Sequence, residues 1–355
     1  MENIYLLMII ALAFLAVADL VVGVSNDAVN FLNSAIGSKA ISFKTIMIVA
    51  SLGVAVGAIF SSGLMEVARK GIFNPSEFMF DEIMVIFMAV MITDILLLDF
   101  FNTVGMPTST TVSIVFELLG ASVAMALIKI AADGGTFTDV INYINTSKAT
   151  EIILGILLSV VVAFSVGAIV QWVSRLLLSY NFDKKANWVG ALFGGIALTG
   201  ITYFIFLKGM KGTPFAKDSF EILGGATIQE FLESQVLTIV GVSLIFWSLL
   251  SYIVVSALKH NIYKLIIIVG TFALALAFAG NDLVNFIGVP IAALNSYEAF
   301  MDPLINVEGL PANKFSMGLL GKKVPSNVWL LLIAGAIMVV TIWTSKKAKT
   351  VIETG

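Results

Sequence analysis

Cysteine is absent from the 355 residues, and histidine occurs once, at His260. Without thiols there is no disulfide, no thiol nucleophile and no thiolate metal site, and nothing about compartment follows. His260 stands between Lys259 and Lys264 beside a segment boundary, and a lone interfacial histidine carries no metal role by itself. Charge is scarce too. Only 12% of residues are Asp, Glu, Lys or Arg, against 59% hydrophobic, and the mean hydropathy is +1.02. Soluble domains carry about 25% charged residues, so a soluble enzyme, a disordered chain, a coiled coil and a fibrous protein are all excluded. The net charge of −3, with no basic run, argues against nucleic acid as a partner. No GxxxxGK[ST] pattern occurs, so ATP is not the expected driver. The polar–apolar alternation of a membrane barrel is missing as well. What remains is a polytopic helical membrane protein.

A spanning helix needs about 20 mostly apolar residues. Thr45 to Met65, Ile152 to Ser174, Ala186 to Leu207, Ser234 to Leu258 and Val324 to Ser345 qualify without a single charge. Ile4 to Val24 carries Asp19, Ile83 to Phe101 carries Asp94 and Asp99, and Pro107 to Ile128 carries Glu117. Leu265 to Ala279 stops at the polar pair Asn281 and Asp282, and Leu283 to Leu294 follows. The pattern predicts roughly nine to eleven hydrophobic segments, some too short to span. The first has no basic flank and is long, so it reads as a retained helix. Lysines sit on most loops and give no orientation. Gly53 with Gly57, and Gly190 with Gly194, have the small-xxx-small spacing of close helix packing.

One polar string occurs twice. NDAVNF at Asn26 to Phe31 and NDLVNF at Asn281 to Phe286 differ only at Ala28 and Leu283. Each follows an apolar run and a glycine, Gly23 or Gly280. Two matching polar hexamers in so apolar a chain suggest duplicated halves, as in many secondary transporters. Asn26 and Asn30, at i and i+4, share a helix face with Asp27 beside them. An ionisable group at membrane depth costs at least ~2.5 kcal/mol unless it meets a partner or a wet cavity. A carboxylate with two amides offers hard oxygens for Na⁺, or a place for a proton. The preceding glycine permits a broken helix. The alternative is a hydrogen-bonded clamp between helices, which needs no carboxylate.

A second constellation is GMPTSTTVS, Gly105 to Ser113. Pro107 suits the first turn of a helix, and Thr108, Ser109, Thr110, Thr111 and Ser113 crowd hydroxyls around that start. Free N–H groups and the positive dipole end favour an anion there, entered from a re-entrant turn; the alternative is an ordinary cap at the membrane surface. No Lys or Arg lies in either constellation. An oxyanion would be held by hydroxyls, amides, N–H groups and a co-bound cation. Asp94, Asp99 and Glu117 are further buried-acid candidates for supporting or coupling roles, with Asn102 on the face of Asp99. Asp19, eight residues before Asp27, is placed toward the same cavity. Glu66 and Arg69 read as an interfacial ion pair, with Lys70 beside them.

At these residues the chain resembles the inorganic phosphate transporter family, the low-affinity phosphate permeases. That family's signature is a duplicated GANDVANA-type motif, one per inverted half. Here it reads GVSNDAVN (Gly23 to Asn30) and FAGNDLVN (Phe278 to Asn285). The family's GxPxSTTH-type motif reads GMPTSTTV. The resemblance implies an all-α integral membrane protein, a polytopic bundle with inverted-topology repeats and broken or re-entrant helices. It implies symport of phosphate with Na⁺ or H⁺, with no cofactor beyond the coupling ion. Asn26, Asp27, Asn30, Asn281, Asp282 and Asn285 would line the phosphate site, and Ser109, Thr110 and Thr111 would donate to phosphate oxygens. Asp27, Asn30, Asp282 and Asn285 would serve Na⁺. Ser25 stands where alanine is usual, and Val112 where many members have histidine, which removes a proton relay there.

Residues 1–132 are then the first repeat, 133–233 connecting segments with two or more membrane helices, and 234–355 the second repeat. A second Ser/Thr motif, spaced from Asp282 as Thr110 is from Asp27, would lie past Gly355. Either it is absent, or the chain is the front part of a longer protein, which is the favoured expectation. The expected cycle is cation first, then phosphate, then rocking of one repeat against the other. The expected partners are phosphate, Na⁺ or H⁺ and the lipid bilayer, with homo-oligomers allowed, and the expected location is the cell (inner) membrane. The rivals are a carrier of another oxyanion such as sulfate, an intramembrane aspartyl hydrolase using two buried aspartates, and a non-transporting sensor or scaffold.

Overall fold

The computed structural model describes residues 2–61, 71–178, 187–209, 219–220, 225–307, 309–321, 328–348 and 350. The helices are α1 (Glu2–Ser38), α2 (Phe43–Phe60), α3 (Phe80–Val104), α4 (Thr110–Ala132), α5 (Val140–Tyr143) and α6 (Thr146–Leu178). They continue with α7 (Asn187–Tyr203), α8 (Ile228–Ser234), α9 (Val236–Ser256), α10 (Ile262–Met301) and α11 (Val328–Thr344). Eight helices among the described residues are long and apolar enough to cross a membrane, and Trp329–Thr344 is a shorter apolar one. The all-α, multi-pass membrane reading of the composition therefore holds. The count is lower than the segment count because Leu265 to Ala279 and Leu283 to Leu294 belong to one helix, α10, and because the last segment is the shorter helix. Glu66, Arg69 and Lys70 lie outside the described residues.

Both hexamers were expected at helix breaks. Instead α1 runs unbroken for 37 residues through Asn26–Phe31, and α10 for 40 residues through Asn281–Phe286. At 1.5 Å per residue each exceeds the ~30 Å hydrocarbon thickness, so their ends reach past it or the helices tilt. The reason for Gly23 is packing, not a break. A Cβ there would lie 2.0 Å from Cε1 of Phe286. Glycine lets the two hexamer helices approach closely.

The chain divides into two compact units. Unit 1 comprises Met1–Asn30, Leu64–Leu154 and Gly280–Gly355; unit 2 comprises Phe31–Gly63 and Gly155–Ala279. Two of the four divisions fall at the hexamers, after Asn30 in α1 and before Gly280 in α10.

Unit 1 holds a core of Leu12, Phe80, Phe87, Met91, Ile114, Leu118, Val289 and Ala292, among others. Phe80 stacks on Phe300 at 4.4 Å and meets Tyr5 at 4.9 Å. The start of α3 is fastened to a later loop. Phe80 N–H donates to Phe315 O, and Met317 N–H to Phe78 O. Lys129, in the last turn of α4, pairs with Glu82 at 2.8 Å. α3 ends because Gly105 takes φ 71°, a left-handed cap residue, with Met106 N–H donating to Phe101 O.

Unit 2 packs through small residues, as the glycine spacing predicts. A Cβ on Gly53 would meet Phe272 O at 2.5 Å, and one on Gly57 would meet Leu276 O at 2.3 Å. A Cβ on Gly194 would meet Ser251 Oγ at 2.6 Å, and one on Gly195 would meet Ser248 Oγ at 2.0 Å. Gly190 has ordinary room, its nearest neighbour being Tyr263 at 3.5 Å. Trp247 Nε1 donates to Thr202 Oγ1 at 2.9 Å, linking α7 and α9. The most hydropathic stretch of α6 buries nothing in protein; Phe164 is 78% exposed. Lipid is the solvent that suits such a helix.

Candidate functional site

Every described side chain of the two hexamers up to Asn30, and the whole Ser/Thr turn, falls in unit 1. The turn is set by one amide. Asn26 is fully buried. Its Nδ2 donates to Asn102 Oδ1 at 2.8 Å and to Met106 O at 3.2 Å, while its Oδ1 accepts from Thr108 N–H at 2.8 Å. Asn102 Nδ2 in turn donates to Val22 O at 2.8 Å. Asn26 thus pins the α3–α4 turn onto α1, with both of its amide protons used. This is why α4 does not start at Pro107 as its ring would suggest. Thr108 N–H is captured by Asn26, and the helix begins at Thr110 with Ser109 as N-cap, its Oγ accepting from Val112 N–H at 3.3 Å. Asn26→Ala is expected to lower the stability of the purified protein by about 2 kcal/mol, since Thr108 N–H and Asn102 Oδ1 lose their partner in the interior. Thermal unfolding in detergent would measure it; an unchanged midpoint would contradict the clamp.

The pin aims two successive threonines at the two aspartates. Thr110 Oγ1 donates to Asp27 Oδ2 at 2.9 Å, and Asn30 Nδ2 reaches Asp27 Oδ1 at 3.4 Å. Thr111 Oγ1 donates to Asp282 Oδ1 at 3.4 Å. Asn285 Nδ2 donates to Thr111 Oγ1 at 2.9 Å and to Asp282 Oδ1 at 3.2 Å. Each hexamer therefore presents one aspartate, the asparagine three residues later and one threonine of the same turn. Asp27 is buried, Asn285 nearly so, and Asn30 is exposed. The Asp27 and Asp282 carboxyls are thus both reached from consecutive residues of one helix start. Among the described residues, no group of three or more His, Cys, Asp or Glu gathers as for a metal ion.

Other sequence candidates separate. Ser109 does not join Thr110 and Thr111. It caps α4 and lines a cavity of about 670 Å³ shared with Thr93, Ser113 and Glu117. Asp99 is half-exposed and pairs with Lys347, so it is not a buried acid, and Asn102 works with Asn26 instead. Asp94 is buried as expected, and Asp19 is buried as well. The side chain of Asn281 lies outside the described residues. The clamp role of Asn102 escaped the sequence, because its partner is 76 residues away. Glu117 and Ser113 share a hydrogen bond that their i,i+4 spacing could have flagged.

The chain is similar to known proteins along most of its length. A candidate phosphate permease of Pyrococcus furiosus is 26% identical over 88% of this chain and 67% of its own. A candidate phosphate permease of Thermococcus kodakarensis is 25% identical over 88% of this chain and 68% of its own. Among solved structures, one titled the sodium-dependent phosphate transporter shares the fold, with a TM-score of 0.63 at 19% identity, covering 98% of this chain and 78% of that one. The phosphate transporter family matches residues 23–354, a span that takes in both hexamers and the threonine turn. The aspartates of these hexamers thus sit in a transporter and not in a hydrolase, and the chain belongs to the phosphate transporter family.

Proposed function

We propose that the protein carries inorganic phosphate across the membrane together with a cation, Na⁺ or H⁺, by alternating access. The observation that supports this most is the duplicated set, Asp27–Thr110–Asn30 and Asp282–Thr111–Asn285, meeting at one helix start. Two hydroxyls and two amides can donate to a tetrahedral oxyanion if they turn from the carboxylates. The carboxylates, freed of them, then take the cation. Charge argues for obligatory coupling. Like charges ~4 Å apart repel by about 4 kcal/mol at an effective dielectric of 20. Phosphate adds negative charge beside two aspartates, with no Lys or Arg in the motifs. A cation must therefore accompany it.

Asp27, Asp282, Asn30, Asn285, Thr110 and Thr111 are the proposed ligands. Asn281 joins them as the repeat counterpart of Asn26, and Ser109 joins if it leaves its cap. Asn26 is assigned a positioning role, because its amide protons are occupied. The cation acts through Asp27, Asn30, Asp282 and Asn285, binding first. The repeats proposed to rock are residues 1–132 and 234–355, in the cell membrane. Because a structure of similar fold is titled sodium-dependent, sodium is the first cation to test.

The test is uptake of radiolabelled phosphate into proteoliposomes under an imposed Na⁺ gradient and, separately, a pH gradient. Uptake driven by one of them is the expected result. Absence of both uptake and phosphate binding would overturn the reading. Equal competition by sulfate would broaden the substrate to tetrahedral oxyanions.

A further inference from the structure

Two turns before Asp27, α1 carries an acid that the phosphate site does not use. Asp19 is fully buried, and neither of its carboxyl oxygens has a hydrogen-bond donor. Asp94 of α3 is among the acids that act on it, and because two carboxylates are acceptors alone, they can join only through a shared proton. Asp94 is 1% exposed, and its Oδ1 lies 2.7 Å from Ser113 Oγ. The same Ser113 oxygen lies 2.7 Å from Glu117 Oε1. Asp94 Oδ2 and Glu117 Oε2 have no partner.

Proton counting follows. A hydroxyl has one proton and can donate to one carboxylate. The second 2.7 Å contact is a hydrogen bond only if that carboxyl donates to the serine. Any hydrogen bond joining Asp19 to Asp94 requires a further proton. Leaving these oxygens ionised and unpaired in the interior would cost several kcal/mol per charge.

Among the described residues, no base is seen to offset them. The charged groups facing Asp19 are Asp94, Glu117 and Asp27, and Asp27 in turn faces Asp282 of α10. Lys129, Lys148 and Lys347 are paired elsewhere, with Glu82, Glu151 and Asp99. A metal ion does not answer the need either. The acids are strung along α1, α3 and α4, and they are not among any group of three or more placed for metal binding in the described residues.

The string has an entrance. Ser113 and Glu117 line the cavity of about 670 Å³ beside α3 and α4, together with Thr93, Thr108 and Ser109. The rest of the wall is largely apolar, with Val90, Leu97 and Phe116 among it, so water would gather at the hydroxyls and Glu117. From the cavity the order is Glu117, Ser113, Asp94, Asp19. Asp19 lies eight residues, about 12 Å, along α1 from Asp27.

We propose that Glu117, Ser113, Asp94 and Asp19 form a buried proton relay, which exchanges protons with the α3–α4 cavity and whose loading is felt electrostatically at Asp27. The link to Asp27 rests on the transport reading above; the existence of the relay does not. A proton on Asp19 or Asp94 lowers the negative potential at Asp27 and favours an anion there. Loss of that proton favours its release. The relay thereby couples phosphate movement to protons, whatever other cation binds at the hexamers.

Infrared spectroscopy of the purified wild-type chain in liposomes tests the relay without any transport. Protonated carboxyl C=O bands that shift in D₂O are expected at neutral pH. Asp94→Asn and Glu117→Gln should each remove part of that intensity, and Ser113→Ala should shift it. Absence of such bands in the wild-type protein, or their loss on adding Na⁺ at constant pH, would overturn the proposal, the latter in favour of a cation site. In proteoliposomes with an internal pH dye, wild-type phosphate uptake should move protons inward. Glu117→Gln should retain phosphate binding yet lose most of the proton movement and flatten the pH dependence of uptake. Bands without any phosphate uptake would sink the transport reading and leave the relay standing. Uptake without bands would do the reverse.

Discussion

Asp27→Asn is expected to reduce the initial rate of cation-driven phosphate uptake by about 100-fold, and Asp282→Asn by a similar factor. Asp27 accepts from Thr110 Oγ1 at 2.9 Å and from Asn30 Nδ2 in a buried setting. An amide there keeps the shape but loses the charge, and a hydrogen bond to a charged group is worth up to about 3 kcal/mol. Each 1.4 kcal/mol is a factor of ten, so the loss is roughly two decades. If the carboxylate also holds the coupling cation, it is lost twice, as a ligand and as the countercharge that balances phosphate. The two variants should not multiply, because the aspartates share one threonine turn and act as a unit. Thr110→Val should fall less, roughly tenfold, and Thr110→Ser should recover most of the rate. Equal amounts of folded protein in the membrane must be checked alongside. Undiminished cation-dependent uptake in both aspartate variants would refute the role given to the hexamers.

Gly23→Ala is the second large effect, and it is a steric one. Helix propensity alone favours alanine over glycine by about 1 kcal/mol. The added methyl would lie 2.0 Å from a Phe286 ring carbon, and Phe286 is itself fully buried. A ring with no free space cannot swing away, so α1 and α10 must part within a turn or two of Asp27 and Asp282. Overpacking of this kind costs about 1–3 kcal/mol, more than propensity returns. A lowered unfolding midpoint in detergent and slowed phosphate uptake are expected together. Phe286→Leu combined with Gly23→Ala should restore much of both, because the smaller side chain opens the space. A Gly23→Ala protein as stable and active as the wild type would show that the helices are not held at this distance.

The membrane class was legible because lipid imposes a composition on the chain. Blocks of some 20 apolar residues can be read singly, with no knowledge of their neighbours. The two hexamers were legible for a related reason: a polar string is conspicuous where polarity is expensive. Close packing at Gly53 and Gly57 was implied by their spacing, since small residues at i and i+4 have few other uses in such a helix, but the partner, the first half of α10, was not.

Other readings needed the folded chain. Gly23 and Gly280 looked like break points, because glycine permits a break as readily as a close contact. For Gly23, only the ring of Phe286 on the facing helix decides for contact. Pro107 looked like a helix start, because φ is fixed locally, whereas the hydrogen bond from Thr108 N–H to Asn26 Oδ1 comes from 82 residues away. Asp94, Asp99 and Glu117 looked alike as acids in apolar blocks. Asp99 turns out to meet Lys347, while Asp94 and Glu117 share Ser113.

By itself, then, the sequence determined the solvent of this protein, its helical class, its repeated Asp–Asn motif and its family likeness, because each depends on residue type and local spacing. The tertiary structure alone decided which hydroxyl faces which carboxylate, which asparagine is a clamp, and which buried acid has no donor, because those are contacts between helices far apart in the chain.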